Sequence, residues 1–301
     1  MTLPDKSVEK TLAEMKWSTR QRLQYIEVMA FYCGVVTRND VATAFGISDA
    51  AATKDLSLYG RLAPDNLIYR QSLFGYVPGP TFQECIADLS PEAVLPMFAH
   101  NLTSMSGPYG EQRIFGIPAE SLPTPARLPD KFITAQVLRA VAQKKKLRIL
   151  YRSLSDRDSD HRRSIEPHSL CHNGLRWHIR AYSEETFDFR DFVLSRISEA
   201  EMLDEASESS AQYDEEWVET LTLELIPHPG LPEKKRLNLL MDYGASGEVI
   251  TIEVRRALLG YLLQQLSVDT TANHSLNPHA YQLIVANREE IEPFAEWAFR
   301  R

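Results

Sequence analysis

Apolar positions recur with helical spacing over the first third of the chain and alternate through the middle, so the change of period marks a change of architecture. From Ser18 to Cys33 the residues Leu23, Ile26, Ala30 and Cys33 form one helical stripe, which Gly34 ends. Thr37-Arg38-Asn39-Asp40 has the form of a capping box, with Val41, Ala42 and Phe45 behind it and Gly46 as the stop. Ser48 caps a third segment to about Leu62, with Ala52, Leu56 and Tyr59 on one face and Ala50, Thr53, Lys54, Ser57 and Arg61 on the other. Leu67 to Tyr69 and Phe74 to Val77, bounded by Pro64 and Pro78, suit a small hairpin.

Three helices followed by a hairpin is the order of a winged helix-turn-helix. Ser90-Pro91-Glu92 opens a further helix, and prolines at 108, 118, 123, 125 and 129 mark a linker after it. Ile133, Val137, Ala140 and Val141 give one more helix. Beyond it Leu147 to Arg152, Arg163 to Leu170, Leu175 to Tyr182 and Phe189 to Leu194 alternate as the short strands of a small barrel. Glu, Asp and Ser dominate from 201 to 216, a second linker. Strand and helix patterns then alternate: Leu221 to Ile226, Lys234 to Met241, Val249 to Val254, Ala257 to Leu266, Tyr281 to Ala286 and Glu289 to Arg300. The expected division is 1–80, 81–130 (connecting helix and linker), 131–203, 204–216 (linker) and 217–301, a multidomain α+β chain.

Composition changes this picture in one respect. At 301 residues, 44% hydrophobic and 25% charged, the chain is ordinary for a soluble protein, and no apolar run approaches membrane-spanning length. Its start, Met1 to Lys6, lacks a secretory pattern, so an intracellular, cytoplasmic location is expected. Cys33, Cys85 and Cys171 are too few and too scattered for a disulfide framework. The net charge of −8 argues against nucleic acid until it is divided. Residues 131 to 200 hold 14 basic against 9 acidic side chains, whereas residues 201 to 301 hold 8 against 18. Positive charge is concentrated in the middle, an asymmetry that points to separate domains with separate partners.

In a helix-turn-helix the second helix of the pair enters the major groove, about 12 Å wide, with short polar side chains on base edges and basic ones on phosphates. Ser48, Ala50, Thr53, Lys54, Ser57 and Arg61 suit that role, and Arg20, Arg22, Lys54 and Arg70 are the expected phosphate contacts. Asp55 would repel a phosphate, so it is expected to face away or to pair with Arg22 or Arg38. The competing reading is an ordinary three-helix bundle. In the middle, alternation sends Trp177, Ile179 and Ala181 into a core and leaves Arg176, His178, Arg180 and Tyr182 on a face suited to an anion. Against that, Arg152, Arg162, Arg163, Arg176, Arg180, Arg190 and Arg196 could simply pair with nearby carboxylates such as Asp156, Asp158, Asp160, Glu184 and Glu185. Residue chemistry alone leaves both open.

Catalytic patterns are absent: there is no Gly-x-Ser-x-Gly, no phosphate-binding Gly-x-x-x-x-Gly-Lys and no Gly-x-Gly-x-x-Gly. Asp156-x-Asp158-x-Asp160 opens like a calcium loop but has His161 where glycine is needed and Pro167 where glutamate is. His168, Cys171, His172 and His178 do not share one strand face, so no metal is expected. No enzyme and no cofactor is expected either.

Tyr151, Arg163, Pro167-His168, Gly174, Trp177-His178-Ile179 and Phe192-Val193-Leu194-Ser195-Arg196-Ile197 resemble the WYL domain in order and spacing, with His178 and Ile179 replacing the tyrosine and leucine of the naming triplet. The form Arg176 to Tyr182 resembles the winged-helix WYL regulators found beside the bacterial phage-defence systems BREX and CBASS. The resemblance implies a winged helix-turn-helix, an Sm-like β-barrel and a C-terminal α/β, ferredoxin-like extension domain that dimerises. It also implies a homodimeric repressor, often autoregulatory, bound to double-stranded operator DNA with an inverted repeat. A nucleic-acid or nucleotide effector would sit in a pocket of Tyr151, Arg152, Arg163, His168, Trp177, His178, Arg180, Tyr182, Arg190 and Arg196. The histidine would add a group able to titrate near neutral pH. A transcriptional activator, or a single-strand or RNA binder acting through the barrel, is the alternative.

Overall fold

The computed structural model describes residues 12–100, 115, 117, 125, 127–154 and 161–299, the side chains of 99 and 100 excepted. Met1 to Lys6, the prolines at 108, 118 and 123, the run Asp156 to Asp160 and Arg300 therefore lie outside the described residues. The chain divides into two compact units, residues 1–123 and 124–301.

In the first unit α1 (Trp17–Cys33), α2 (Arg38–Phe45) and α3 (Asp49–Leu62) pack around Leu23, Ile26, Val41, Ala52, Leu56 and Tyr59. The local signals act as their chemistry dictates. The Thr37 side chain accepts from the Asp40 backbone N–H while the Asp40 carboxylate accepts from the Thr37 N–H, so both halves of the capping box form. Gly46 closes α2 in the left-handed conformation at φ +61°, which costs a glycine nothing. The hairpin is β1 (Leu67–Arg70) with β2 (Gly75–Pro78), and Val36 adds an isolated bridge to Tyr76. Buried Glu27 anchors the segment after the hairpin: its carboxylate accepts the backbone N–H groups of Cys85, Ile86 and Ala87 and the Tyr59 hydroxyl. Asn66 ties the hairpin base to the same place through the Tyr59 hydroxyl and the backbone of Gln83. The helix expected at Ser90-Pro91 is α4 (Pro91–His100).

The second unit begins with α5 (Lys131–Gln143), which lays Val137 and Ala140 on a curled five-stranded antiparallel sheet. Its strands are β3 (Lys145–Tyr151), β4 (His161–His172), β5 (Trp177–Ser183), β6 (Asp188–Val193) and β7 (Ile197–Ala206), in the order β6-β5-β4-β3-β7. The ends of the sheet meet at Tyr151, whose hydroxyl accepts from the Val193 N–H at 3.1 Å, while the Arg152 N–H donates to the Arg196 carbonyl at 2.9 Å. Leu147, Ile149, Ile165, Ile179, Ala181, Phe192 and Ile197 fill the interior. The strand β7 is the element the sequence pattern hid. It runs into the acidic stretch expected as a linker from 204, because its outward residues Glu199, Glu201, Asp204 and Glu205 are read as solvent-loving chain when taken singly.

After a short helix α6 (Glu215–Val218) come β8 (Thr220–Pro227), α7 (Glu233–Asp242), β9 (Ile250–Arg255), α8 (Leu259–Gln265), β10 (Leu283–Val285) and α9 (Arg288–Ile291). The strands form an antiparallel sheet in the order β10-β8-β9, with Leu223, Leu225, Leu259, Leu263 and Leu283 in its core. A ferredoxin-like unit has four strands; the described residues form three. The helix expected over 289–300 is instead α9 and two short 3-10 turns, because Pro293 cannot donate the backbone bond that would carry the helix on. Among the described residues no helix is long and apolar enough to cross a membrane.

Candidate nucleic-acid interface and ligand site

The helix α3 presents two faces of different character. Ala52, Leu56 and Tyr59 are buried, while Ser48, Ala50, Thr53, Lys54, Ser57 and Arg61 are all exposed. Ser48 is the N-cap, its hydroxyl accepting from the Ala51 N–H, and the Thr53 and Ser57 hydroxyls donate back to carbonyls one turn earlier. Those hydroxyls keep lone pairs for an outside donor. Arg20 and Arg70 are exposed as well. Arg22 is different. Its guanidinium grips buried Asp55 with two bonds, Nε to Oδ2 at 2.6 Å and Nη2 to Oδ1 at 3.2 Å, and donates also to Ser18 and Thr19. Arg22 therefore neutralises Asp55 and ties α1 to α3, and its guanidinium is engaged within the protein instead of standing free for the phosphate expected of it. Arg38 pairs with Asp49.

In the second unit, strand β5 carries the WYL-like triplet, and its two faces differ from the alternation reading. Ile179 and Ala181 enter the barrel core as expected, but Trp177 stands at the strand end, 39% exposed, stacked on His172 at 4.7 Å. The opposite face is not open. Arg180 is 4% exposed and fully engaged: Nε lies 2.6 Å and Nη2 3.0 Å from the Asp214 carboxylate, Nη2 lies 2.7 Å from Glu216, and Nη1 lies 3.7 Å from Asp191. Burial pushes the Asp214 carboxyl up, but the Arg180 bonds and charge and the His168 bond outweigh it and hold it below its ordinary range. His168 completes the group, with Nε2 3.2 Å from Asp214 and its ring between Phe189 and Trp217. Arg180 and His168 thus hold the extension to the barrel and are not available to a ligand. Asp214 and Glu216 lie more than 30 residues beyond Arg180, out of reach of any local pattern.

Other expected pocket residues scatter. Tyr151 is buried, with its ring against Phe192 and the Arg163 guanidinium 5.6 Å above it. Arg163 also lies 3.8 Å from Glu185. Tyr182 packs on Phe189, Arg190 pairs with Asp188 at the surface, and Arg152 is exposed. Arg196 remains.

Arg196 belongs to a cluster that the pattern named only in part. Arg176 donates from Nε to His178 Nε2 at 3.2 Å, which places the His178 proton on Nδ1, a buried atom with no partner among the described residues. Burial, followed by the charges of Arg176, Arg196, Arg127 and His172, lowers His178 to about 4. It is neutral at pH 7 and does not titrate near neutrality, contrary to the expectation for a solvated ring. Burial and the charges of Arg196 and Arg127 also lower the Arg176 guanidinium. Among the described residues no carboxylate pairs with Arg127, Arg176 or Arg196. Arg176 and Arg196 are half-buried and Arg127 is exposed, and like charges with no carboxylate partner among the described residues make this cluster a candidate anion site. Its far wall comes from α8. The Tyr261 ring lies 4.8 Å from that of His178, and the Tyr261 hydroxyl donates to Asp191 at 3.1 Å. Gly174, at φ +85°, lies so close to Gln265 that a Cβ would meet its Nε2 at 2.9 Å. Among the described residues no cluster of His, Cys, Asp and Glu could hold a metal ion.

Three family descriptions match consecutive parts of the chain: the winged helix-turn-helix domain of the BrxR transcriptional regulator over residues 18–100, the WYL domain over 133–202, and the C-terminal dimerization domain of the BrxR regulator over 220–291. Full-length relatives agree. The DNA-binding transcriptional repressor CapW of Escherichia coli (strain KTE188) is 34% identical over 276 residues, 92% of this chain and 91% of that one. CapW of Pseudomonas aeruginosa is 30% identical over 97% of both chains, and CapW of Stenotrophomonas maltophilia 30% over 93% of both. With all three domains matched in order around the surfaces described above, the chain belongs to the BrxR and CapW family of winged helix-turn-helix, WYL-domain transcriptional regulators.

Proposed function

We propose that the chain is an intracellular, non-enzymatic repressor that binds an inverted-repeat operator as a homodimer and controls a phage-defence operon, its own gene included. The observation that carries DNA binding is the exposed polar stripe of α3, fixed by a packed opposite face and placed beside a short wing. Two copies of α3, held apart by the dimer, would read two half-sites. The relatives named as DNA-binding repressors support this sign of regulation.

The ligand would be a nucleotide or short nucleic acid whose phosphates are held by Arg127, Arg176 and Arg196, with the exposed Trp177 and His172 pair offering a stacking surface at the rim. Bound phosphate relieves the mutual repulsion of the arginines. Release of the operator then requires only that the DNA-free arrangement bind the ligand better, since the coupling is reciprocal. The test is titration of short 5′-phosphorylated oligonucleotides into the protein and the protein–operator complex. Wild type should bind them and release DNA; Arg176→Ala and Arg196→Ala should keep operator affinity and lose the response. Loss of operator binding in folded variants would make the barrel part of the DNA surface instead.

A further inference from the structure

The tip of the wing is built in a way that phosphate contact does not explain. Strands β1 and β2 are joined by a single 3-10 turn, Gln71–Leu73, after which Phe74 adopts φ +47° and ψ +33°. In that left-handed conformation a Cβ crowds its own backbone, and glycine or asparagine would relieve the strain. The chain instead places a phenyl ring there, 77% exposed, beside Leu73 at 52%. The next residue pins it. Gly75 is buried, and a Cβ on it would meet Val35 Cγ2 at 2.9 Å and Thr37 Cγ2 at 3.0 Å, so the chain packs closely on these side chains directly behind Phe74 and only glycine fits there. Tyr69 and Tyr76 pack edge to face at 5.3 Å below the tip and stiffen the hairpin. Arg70, exposed and without a carboxylate partner among the described residues, stands at the end of β1. A rigid hairpin therefore ends in two adjacent apolar side chains flanked by a cation, in the same compact unit as α3.

We propose that Leu73 and Phe74 form an apolar wedge that enters the minor groove beside the major-groove site of α3, partly unstacks one base step and bends the duplex. This rests on the reading of α3 as the recognition helix. Two observations favour duplex DNA over a second copy of the chain as the occupant. The tip belongs to the same compact unit as the exposed polar face of α3, and Arg70 supplies the positive charge that a narrow, negative groove attracts. The minor groove, about 6 Å wide, admits a phenyl edge or a leucine side chain but not a helix. Unstacking is easiest at pyrimidine–purine steps, so the wedge makes the protein sensitive to sequence at a position where no side chain reads a base edge.

The test uses the full-length chain and the duplex it enriches from a random pool, with 2-aminopurine placed at successive steps and a donor–acceptor dye pair at the ends. Wild type should raise 2-aminopurine fluorescence at one step and shorten the end-to-end distance. Phe74→Gly, which suits φ +47°, should unfold at the wild-type temperature or slightly above it. It should lose both signals and bind about tenfold more weakly, with an unchanged salt slope because no phosphate contact is removed. Phe74→Asn should behave alike and serves if the glycine variant fails to fold. Tight binding by wild type to a straight, fully stacked duplex would overturn the wedge and leave the recognition helix standing. Failure to enrich any duplex would overturn both. A Phe74→Gly protein that bends DNA as wild type does, or that changes oligomeric state in sedimentation instead, would assign the tip to contact between copies.

Discussion

Replacing Arg180 with alanine should damage the fold of the second unit before it affects any ligand. The guanidinium makes three bonds of 2.6, 3.0 and 2.7 Å to Asp214 and Glu216 and faces Asp191 at 3.7 Å, with 4% of the Arg180 side chain and 1% of that of Asp214 exposed. Removing one partner of such a group strands the other's charge in a medium that solvates it poorly, at a cost of about 3–5 kcal/mol. Asp214 would keep the Trp217 N–H and His168, which favours the lower half of that range. For a unit of this size each kcal/mol lowers the midpoint by about 2–4 °C, so thermal unfolding of the barrel and extension should begin roughly 10 °C earlier. Arg196→Ala is the control: Arg196 has no carboxylate partner among the described residues, and its loss relieves repulsion on Arg176 and His178, so the unfolding temperature should change little. Scanning calorimetry of the full chain at pH 7 reads both. If Arg180→Ala unfolds with wild type while losing oligonucleotide binding, the account of Arg180 as a structural clamp is wrong.

The histidine of the triplet gives a pH signature. Its folded pKa of about 4 lies below the value near 6.5 expected unfolded, so the unfolded state takes up a proton first as pH falls, and stability is lost between about pH 6.5 and 4. The His178 ring resonances should therefore stay constant from pH 8 to about 5 in the free protein and move upward in pKa when a phosphate neutralises the arginines; a midpoint near 6.5 without ligand would contradict the buried site. In the first unit, Lys54→Ala should weaken duplex binding across sequences and lower the salt slope by about one, whereas an unchanged slope would remove Lys54 from the phosphates.

Much of the first unit was legible because its signals are local. The Thr37–Asp40 box, Gly46, the Ser48 cap and the two faces of α3 each act within a few residues, and charge alone left Asp55 to face away or to pair with Arg22 or Arg38, of which the structure shows Arg22. The second unit was legible in its barrel core and misleading on its outer face. Alternation on β5 correctly separated Ile179 and Ala181 from His178 and Arg180, but period two says only that faces differ, not which is covered. The cover over the second face arrives from Asp214, Glu216 and Tyr261, tens of residues away. The same gap shifts which arginines are left without a carboxylate among the described residues. Arg180 has the strongest local context and is spent on carboxylates, whereas Arg127, from an apparently featureless linker, joins Arg176 and Arg196. Strand β7 was missed because glutamates on an outward face resemble a linker when their neighbours Ile197 and Met202 are not weighed as a register.

The most direct test of the account is a mobility-shift titration of the full-length protein at about 150 mM salt. Duplex from its own upstream region would be compared with scrambled duplex and with single strand. The upstream duplex should be preferred by about a thousandfold or more, and phosphorylated single strand, acting through Arg176 and Arg196, should release it. Tight single-strand binding with no preference among duplexes would contradict this and place the principal function in the barrel.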